Sequence, residues 1–342
     1  MTTRTKRLLF AATVVAVACV FIVICRNAPN AAGPGAGDAP DGPAAPPRFR
    51  AAAYPLEGAR FMIWGFDAMV PPGAEAELRG KVKSQIFGPL SHSPRGRTLE
   101  FLVPAAEVAL RQPPEADWEA WKPVGEGRTD GEGFARARHV PATAPGEPPA
   151  RVRILPVVVR EASDPDRSRA AFHVFTFPAD TPLVVVDIDW TISRTGTMDW
   201  LRNAGHDFEP VPGAVEGTRA IAERALVVYL TAREAMFTNE TRLWLQRHGF
   251  PLGPLLLRDL GEDPLSASGF KRQTIARLKR DFPDIVAGIG ERIKDARACA
   301  ANGVPAFVIR DAAGEEDGFP CGPWPAAVRF VQERAESGTE GK

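Results

Sequence analysis

The spacing of apolar and polar positions divides the chain into two parts with different periods. Between residues 48 and 180, apolar positions alternate with polar ones over short stretches such as 76–82 and 131–138, and Gly- and Pro-containing turns separate these stretches. A period of two is typical of half-buried β-strands. The pattern therefore predicts an all-β domain over residues 48–180, of the immunoglobulin-like sandwich type.

From residue 181 onward, short continuous apolar runs alternate with amphipathic segments of helical period. The apolar runs lie at 183–186, 226–230, 254–258, 285–289 and 306–310. The amphipathic segments lie at 214–224, 239–248, 271–281, 295–302 and 325–334. Strand–helix alternation at these lengths predicts an α/β domain over 181–334, with a Rossmann-like parallel sheet and helices on both faces. Residues 335–342 are expected to form a frayed tail.

Residues 1–25 carry a targeting signal rather than a part of the fold. Three basic residues near the start precede an apolar run at 8–25, which is close to the roughly 20 residues needed to span a bilayer. The basic flank favours the cytoplasmic side. We therefore expect an uncleaved signal-anchor, with the bulk of the chain on the non-cytoplasmic side, as in a bacterial periplasm or cell envelope.

Two alternatives remain for this segment. The small-x-small sequence Ala16-Val17-Ala18 is followed by Cys19 in a loosely lipobox-like context, so a cleaved signal peptide would give a secreted protein or a lipoprotein. A buried soluble helix is the second alternative. Residues 26–47 are rich in Ala, Pro, Gly and Asn, which predicts a disordered linker.

Charge and cysteine content give no reason to expect nucleic-acid binding or a zinc site. The 342 residues carry a formal net charge of zero, so bulk electrostatics give no reason to expect nucleic acid as a partner. Only four cysteines are present. Cys299 and Cys321 are the two that lie outside the N-terminal apolar run, and their spacing does not suggest a zinc site.

The candidate chemistry begins where the run 183–186 ends. Asp187 and Asp189 follow this predicted buried strand, and Thr191 adds a hydroxyl group. Open α/β sheets bind ligands at the carboxyl ends of their strands. Two neighbouring buried carboxylates are costly unless a cation or a proton compensates their charge. This stretch therefore indicates a metal site beside two acids.

Further polar residues follow other predicted elements, and the whole set fits phosphoryl transfer through an aspartyl-phosphate. Asp187 would be the nucleophile, and Asp189 would protonate the leaving oxygen and then activate water. The remaining candidates bind substrate, balance charge or bind metal: Thr191, Thr231, Ala232 and Arg233 for substrate, Lys271 for charge, and Asp187, Asp189, Glu291 and Asp295 for Mg²⁺. An ion pair with a carboxylate is the alternative role for Arg233.

These residues together resemble the four motifs of the haloacid dehalogenase superfamily. The first motif, Asp187-Ile-Asp-Trp-Thr-Ile192, is similar to the Asp-Ile-Asp-Asp-Thr-Ile of lipin-type and related phosphatidate phosphatase catalytic domains. The segments 229–233 and 244–251 are also similar to that group. The resemblance covers roughly 181–312 and implies a haloacid dehalogenase-like fold, Mg²⁺ as cofactor and hydrolysis of a phosphomonoester.

Two positions depart from the family pattern. Trp190 replaces an acidic residue, and Glu291 stands where the fourth motif usually has Asp. The segment 192–210 is too short to hold a cap domain, so we expect an open site that accepts phosphate on a large molecule. A phosphatidate-like lipid is the first expectation, another phosphomonoester the second. The alternative function is a catalytically weak or inactive phospholipid-binding module of the same fold.

Overall fold

The computed structural model gives a structure for seven stretches of the chain. These are residues 60–84, 93–105, 121–142, 152–166, 168–196, 208–263 and 266–339. The expected signal-anchor at 1–25 and the linker at 26–47 lie outside them. In the described part of the chain, no helix combines the length and hydropathy that a membrane span requires.

The N-terminal part is all-β, as predicted, and consists of two sheets. Its strands are β1 (Phe61–Phe66), β2 (Ala68–Val70), β3 (Ala76–Ser84), β4 (Thr98–Pro104), β5 (Trp121–Arg128), β6 (Phe134–His139), β7 (Arg153–Glu161) and β8 (Arg169–Thr176). One sheet has the order β1-β3-β6 and the other β2-β8-β7-β4-β5. Apolar side chains from both sheets, including Leu78, Val82, Phe101 and Val157, form a common core. The immunoglobulin-like classification and the domain boundaries stay predictions.

Strand β7 runs through a proline. One strand continues on both sides of Pro156, although proline is rare inside sheets. Pro156 lies opposite His173 of β8, whereas β4 pairs with β7 only at Val158 and beyond. The missing N–H of Pro156 therefore breaks no hydrogen bond with β4.

The C-terminal part is an α/β unit, which confirms the predicted fold class. Its strands are β9 (Leu183–Val186), β10 (Leu226–Glu234), β11 (Leu255–Arg258), β12 (Ile285–Gly290), β13 (Ala306–Ile309), β14 (Gly314–Glu316) and β15 (Phe319–Gly322). Its helices are α1 (Ala214–Ala222), α2 (Thr238–Arg247), α3 (Ala267–Asp281), α4 (Ile293–Ala300) and α5 (Trp324–Thr339). A short 3-10 helix, Ala235–Phe237, precedes α2.

The sheet order places β9 at the centre of the site-bearing edge. The order is β11-β10-β9-β12-β13-β15-β14, and all neighbours are parallel except β14 and β15. Val186, the last residue of β9, lies opposite Tyr229 of β10 and Ile289 of β12. The residues that follow these three strands therefore meet at one edge.

The four residues of β9 are buried on alternate faces of the sheet. Val184 and Val186 pack on the side of α1, α2 and α5. Leu183 and Val185 pack on the side of α3 and α4. Alternation of side chains in a strand explains why a short, wholly apolar run marks a strand covered by helices on both faces.

Three features of the C-terminal part differ from the sequence interpretation. Helix α3 begins at Ala267, because the Ser266 side chain accepts a hydrogen bond from the Gly269 N–H and caps the helix. Lys271 consequently lies in the second turn and not at the helix start. Helix α5 extends to Thr339, beyond the predicted 325–334. The hairpin of β14 and β15, which was not predicted, extends the sheet.

The two parts of the chain share hydrophobic cores. Trp64 of β1 is 1% exposed and belongs to the apolar cluster that contains α1, α2 and α5. Phe175 of β8 and Phe177 belong to the cluster on the opposite face of the α/β sheet. The ring of Phe177 lies 4.6 Å from the ring of Phe282 at the end of α3, measured between centroids. Burial of such large side chains links the two parts energetically.

Candidate active site

Asp187 and Asp189 lie in the turn that follows the central strand β9. The N–H of Asp187 donates to the carbonyl of Ile289 in β12 at 2.9 Å. The chain then turns, and the N–H of Ser193 donates back to the carbonyl of Ile188 at 3.1 Å. This tight turn fixes both aspartates at the edge where β10 and β12 also end.

Asp187 is a buried carboxylate with one close cationic partner. Its side chain is 7% exposed, and its Oδ1 lies 2.8 Å from Nζ of Lys271. Thr191 Oγ1 donates to Oδ2 over a longer distance of 3.4 Å. Burial raises the pKa of Asp187 to about 7, and the negative charges of Asp295 and Asp189 act in the same direction against the lowering effect of Lys271.

Lys271 reaches the site from α3 and contacts two acids. Its Nζ lies 2.9 Å from Oδ1 of Asp295, in addition to the contact with Asp187. Burial alone would lower the pKa of Lys271, but the two carboxylates outweigh it and raise the pKa, so the ammonium stays charged. Lys271 therefore lies where its positive charge compensates Asp187 and Asp295.

Asp189 is held by a different set of contacts. Arg233 donates from Nε to Oδ1 of Asp189 at 2.8 Å, and Thr231 Oγ1 donates to Oδ2 at 3.0 Å. The N–H of Arg233 donates in turn to Thr231 Oγ1 at 3.2 Å. Since Arg233 is 0% exposed, its guanidinium orients a carboxylate here, which was the alternative role given to it.

Glu291 enters the site mainly through its backbone. Its N–H donates to Thr191 Oγ1 at 2.9 Å, and Arg310 donates to its carbonyl at 2.6 Å. The Glu291 carboxylate lies 3.5 Å from Nε of Arg292, and its side chain is 36% exposed. The first and fourth motifs are thus joined by a hydroxyl–backbone contact.

Trp190 is the exposed residue of this turn. It adopts a left-handed backbone conformation with φ of 60°, which is uncommon for a bulky side chain. The side chain covers Gly196, where a Cβ would lie only 2.9 Å from the indole Nε1. Trp190 is 45% exposed, so an aromatic surface lies next to the two aspartates.

A small cavity of about 20 Å³ lies beneath the carboxylates, enough for roughly one water molecule. Asp187, Lys271 and Asp295 contribute its polar lining, and Cys299 lies at its base. Burial raises the pKa of the Cys299 thiol to about 12, so this cysteine is a neutral part of the cavity wall.

The donors at this edge fit a hard divalent cation. Within the stretches described, no group of three or more His, Cys, Asp or Glu residues is already gathered as a metal site. However, the buried Oδ2 of Asp295 has no hydrogen-bond partner among the described residues, and Lys271 alone compensates Asp187 and Asp295. Carboxylate oxygens of this kind are the ligands that Mg²⁺ prefers.

The structure brings most of the predicted residues to one edge of the sheet. Asp187, Thr191, Lys271 and Asp295 form one connected set, and Asp189, Thr231 and Arg233 form the other. Ala232 lies in β10 between the last two of these residues. The catalytic, substrate-binding and metal-binding roles of the individual residues stay predictions.

Sequence reasoning missed two residues that contact Arg233. Ser193 Oγ lies 3.2 Å from one terminal nitrogen of Arg233, and Thr241 Oγ1 lies 3.4 Å from the other. Ser193 closes the first motif and could have been suspected from its position. Thr241 lies in the middle of α2, where nothing in the local pattern distinguishes it.

The parallel sheet and the meeting of the motif residues at one edge of it are consistent with the haloacid dehalogenase-like fold that the motifs resemble. Residues 183–290 match the family model described as the catalytic domain of phosphatidate phosphatase APP1. The match includes β9 to β12 and therefore the first three motifs. It confirms the resemblance to phosphatidate phosphatase catalytic domains for this part of the chain.

Solved structures give distant similarity. A haloacid dehalogenase-like hydrolase from Xanthomonas campestris is 17% identical with a TM-score of 0.33, and the alignment covers 46% of this chain and 99% of that one. A haloacid dehalogenase-like protein from Streptococcus pneumoniae is 10% identical with a TM-score of 0.34, covering 45% and 99%.

One curated protein is similar over a limited stretch. The ATP-dependent dethiobiotin synthetase BioD of Haloferax mediterranei is 29% identical over 100 residues, which are 29% of this chain and 41% of that protein. The chain thus spans less than half the length of this relative.

Proposed function

We propose that this protein is a Mg²⁺-dependent phosphatase that hydrolyses a phosphomonoester through an aspartyl-phosphate on Asp187. One observation carries the proposal: Asp187 lies against Lys271 at 2.8 Å, while Asp189 is oriented separately by Thr231 and Arg233. Two acids with different surroundings at one strand end suit two different tasks in the same reaction.

The proposed reaction has two steps. An Asp187 carboxylate oxygen bonds to phosphorus while the bond from phosphorus to the leaving oxygen breaks, and Asp189 gives its proton to that oxygen. Asp189 then takes a proton from water, whose oxygen attacks the phosphorus and releases inorganic phosphate from Asp187. Lys271 balances the negative charge next to the nucleophile, and Thr231 and the backbone of Ala232 are expected to face the phosphate.

Asp187, Asp189, Glu291 and Asp295 would hold the Mg²⁺ ion. When bound, the ion would neutralise part of the charge on the phosphoryl oxygens. The unpartnered Asp295 oxygen and the shortage of positive charge around Asp187 support this assignment. Glu291 is the least favoured of the four, because its carboxylate lies near Arg292.

A phosphatidate-like lipid is the proposed substrate. The family match over 183–290 supports a phosphorylated lipid, and the exposed indole of Trp190 offers an aromatic surface beside the acids. Trp side chains are favoured where an apolar phase meets water. We further propose that residues 1–25 anchor the protein in a membrane, with the described part on the non-cytoplasmic side.

The test uses the full chain with phosphatidate in mixed micelles, a soluble aryl phosphate and a phosphopeptide, each with and without Mg²⁺. We expect Mg²⁺-dependent release of phosphate, fastest from phosphatidate, and a loss of at least about 10³-fold in Asp187→Asn. If none of the phosphomonoesters releases phosphate in a Mg²⁺-dependent manner, the proposed phosphatase activity is excluded.

A phospholipid-binding module without turnover is the second candidate. It is favoured by Trp190 in place of an acid and by the position of the Glu291 carboxylate next to Arg292. In this case vesicles containing phosphatidate would bind equally well with and without Mg²⁺, and the binding would survive Asp187→Asn. The same vesicle preparation, assayed for bound protein and released phosphate, distinguishes the two candidates.

A further inference from the structure

A second buried ionic cluster lies where the β-sheet part meets α2, away from the candidate active site. Arg242 of α2 donates to Oδ1 of Asp67 at 2.8 Å, and the two side chains are 3% and 0% exposed. The other terminal nitrogen of Arg242 lies 3.0 Å from Nδ1 of His173. Burial lowers the pKa of His173, so the imidazole is neutral and Nδ1 can accept from the guanidinium.

Asp67 fastens two elements of the α/β part. Its Oδ1 also accepts from the N–H of His173, and its Oδ2 accepts from the N–H of Leu255, the first residue of β11, both at 2.8 Å. Nearby, Asn239 of α2 donates to the carbonyl of Ile63 in β1 at 3.1 Å. The corner between β1 and β2 thus holds both the start of β11 and the first turn of α2.

Helix α2 connects this corner to the turn after β9 that contains Asp187 and Asp189. Thr241 directly precedes Arg242 and lies 3.4 Å from one terminal nitrogen of Arg233. The same guanidinium donates from Nε to Asp189 at 2.8 Å. Because Arg233 is fully buried, the position of α2 fixes where its guanidinium, and therefore the Asp189 carboxylate, can lie.

We propose that Arg242 and Thr241 are positioning residues for Asp189, and that the β-sheet part is a working component of the catalytic unit. In this arrangement Asp67 holds Arg242, Arg242 holds α2, and Thr241 on α2 orients Arg233. The inference rests on the proposed function, because it assigns to Asp189 the task of proton transfer.

The kinetic test compares two phosphomonoesters with different leaving groups, using the full chain. An alkyl phosphate leaves as a strongly basic alkoxide and needs the proton from Asp189, whereas a nitrophenyl phosphate leaves as a weakly basic phenoxide and needs it little. Because Asp189 also acts in the later attack of water, which both esters share, the parameter compared is kcat/KM, which reports formation of the phosphoryl-enzyme. We expect Arg242→Lys and Thr241→Val to lower kcat/KM for the alkyl ester about tenfold more than kcat/KM for the aryl ester.

The ratio of the two kcat/KM values distinguishes a positioning effect from a loss of folded protein. A smaller folded fraction would lower both rates by the same factor and leave the ratio unchanged. Thr241→Ser keeps the hydroxyl and should restore the wild-type ratio. The control is Arg136→Gln, which removes an ion pair of 2.8 Å between the β-sheet part and Glu262 without touching α2, and should leave the ratio unchanged. Equal losses on both esters would overturn the proposal.

A second readout does not depend on turnover. The Nε–H proton of Arg233 is buried against Asp189, and its exchange with solvent can be followed by NMR. We expect faster exchange in Arg242→Lys and Thr241→Val and wild-type exchange in Thr241→Ser and Arg136→Gln. Unchanged exchange in the first two variants would overturn the positioning role. A wild-type protein that hydrolyses no phosphomonoester would instead overturn the proposed function, and the NMR result would still decide whether α2 positions Arg233.

Discussion

Asp187 and Asp67 are two buried aspartates, each paired with a buried cation, and their pKa values shift in opposite directions. Burial raises the pKa of Asp187 to about 7, where Lys271 is its one close cationic partner. Burial also acts to raise the pKa of Asp67, but the charge of Arg242 and several hydrogen bonds outweigh it and lower the pKa. The difference lies in how completely each negative charge is compensated.

The chain keeps a fully compensated buried charge, on Asp67, apart from an incompletely compensated one, on Asp187. Asp67 accepts hydrogen bonds from two backbone N–H groups and a guanidinium. Asp187 shares its ammonium group with Asp295 and lies near a third acid. A buried carboxylate with full hydrogen bonding stabilises a fixed geometry, whereas one that lacks positive charge is ready to accept a cation or to react with an electrophile.

The largest difference between the two sites should appear in unfolding by urea. Asp67→Asn removes the charge that compensates Arg242 and should lower the free energy of unfolding by about 3–5 kcal/mol. Asp187→Asn leaves Lys271 paired with Asp295 and reduces an excess of negative charge, so it should cost less than about 1 kcal/mol. Similar losses in both variants would contradict the contrast between the two sites.

Addition of Mg²⁺ should sharpen the contrast. At a free concentration of about 100 times the Kd, a bound ion stabilises the folded state by about 2.7 kcal/mol, which thermal unfolding can detect. We expect this increase in the wild type and in Asp67→Asn if that variant folds, but not in Asp187→Asn. An equal increase in Asp187→Asn would place the ion elsewhere.

Acidification should weaken the buried cluster of Asp67, His173 and Arg242, because His173 takes up a proton. Because burial lowers the pKa of His173 below its ordinary 6.5, the unfolded chain takes up the proton first. Stability from the neutral imidazole is complete above pH 6.5 and is lost as pH falls below it, by up to about 1.4 kcal/mol per pH unit. His173→Gln should remove this slope, measured by urea unfolding between pH 7.5 and 5.5.

The pH dependence of the free energy of unfolding must be compared between the wild type and His173→Gln, because other groups change this free energy in the opposite direction. Burial raises the pKa values of Asp187 and Glu240 to about 7, so their folded forms take up protons first and gain stability as pH falls below 7. These contributions are common to wild type and His173→Gln and cancel in the difference. If the difference in the free energy of unfolding between the two proteins does not change with pH, protonation of His173 does not affect stability.

The smallest effect is expected at the exposed pairs between the two parts. Arg136 lies 2.8 Å from Glu262, with side-chain exposures of 39% and 34%. Solvent screens such pairs, so Arg136→Gln should change the free energy of unfolding by less than about 1 kcal/mol. A loss comparable to that of Asp67→Asn would mean that burial does not distinguish the two contacts.

The residues of the candidate site could be predicted because their signals are local. The run that ends at Val186, the paired acids Asp187 and Asp189, and the order of Thr231 and Lys271 along the chain are all readable from neighbouring residues. Parallel strands that end in polar residues bring those residues to one edge of the sheet. The convergence of the site therefore follows from the strand pattern.

The partners of the buried charges could not be predicted in the same way. Arg242 and Asp67 are 175 positions apart in the chain, and Arg233 and Asp189 are 44 apart. A charged residue gives no local sign of which distant carboxylate it will meet. For the same reason, no local sign in the sequence indicates that Trp64 and Phe175 are part of the core of the α/β part.

By itself, the sequence determined the alternation of strands and helices over most of the α/β part, its fold class and the acids of its candidate site, because periodicity and motif spacing are properties of short segments. Only the tertiary structure decided that Lys271 lies within α3, that Arg233 donates a hydrogen bond to Asp189, and that Asp67 joins the β-sheet part to α2. These depend on how whole elements pack, where burial makes an unpaired charge costly and so selects one partner among many.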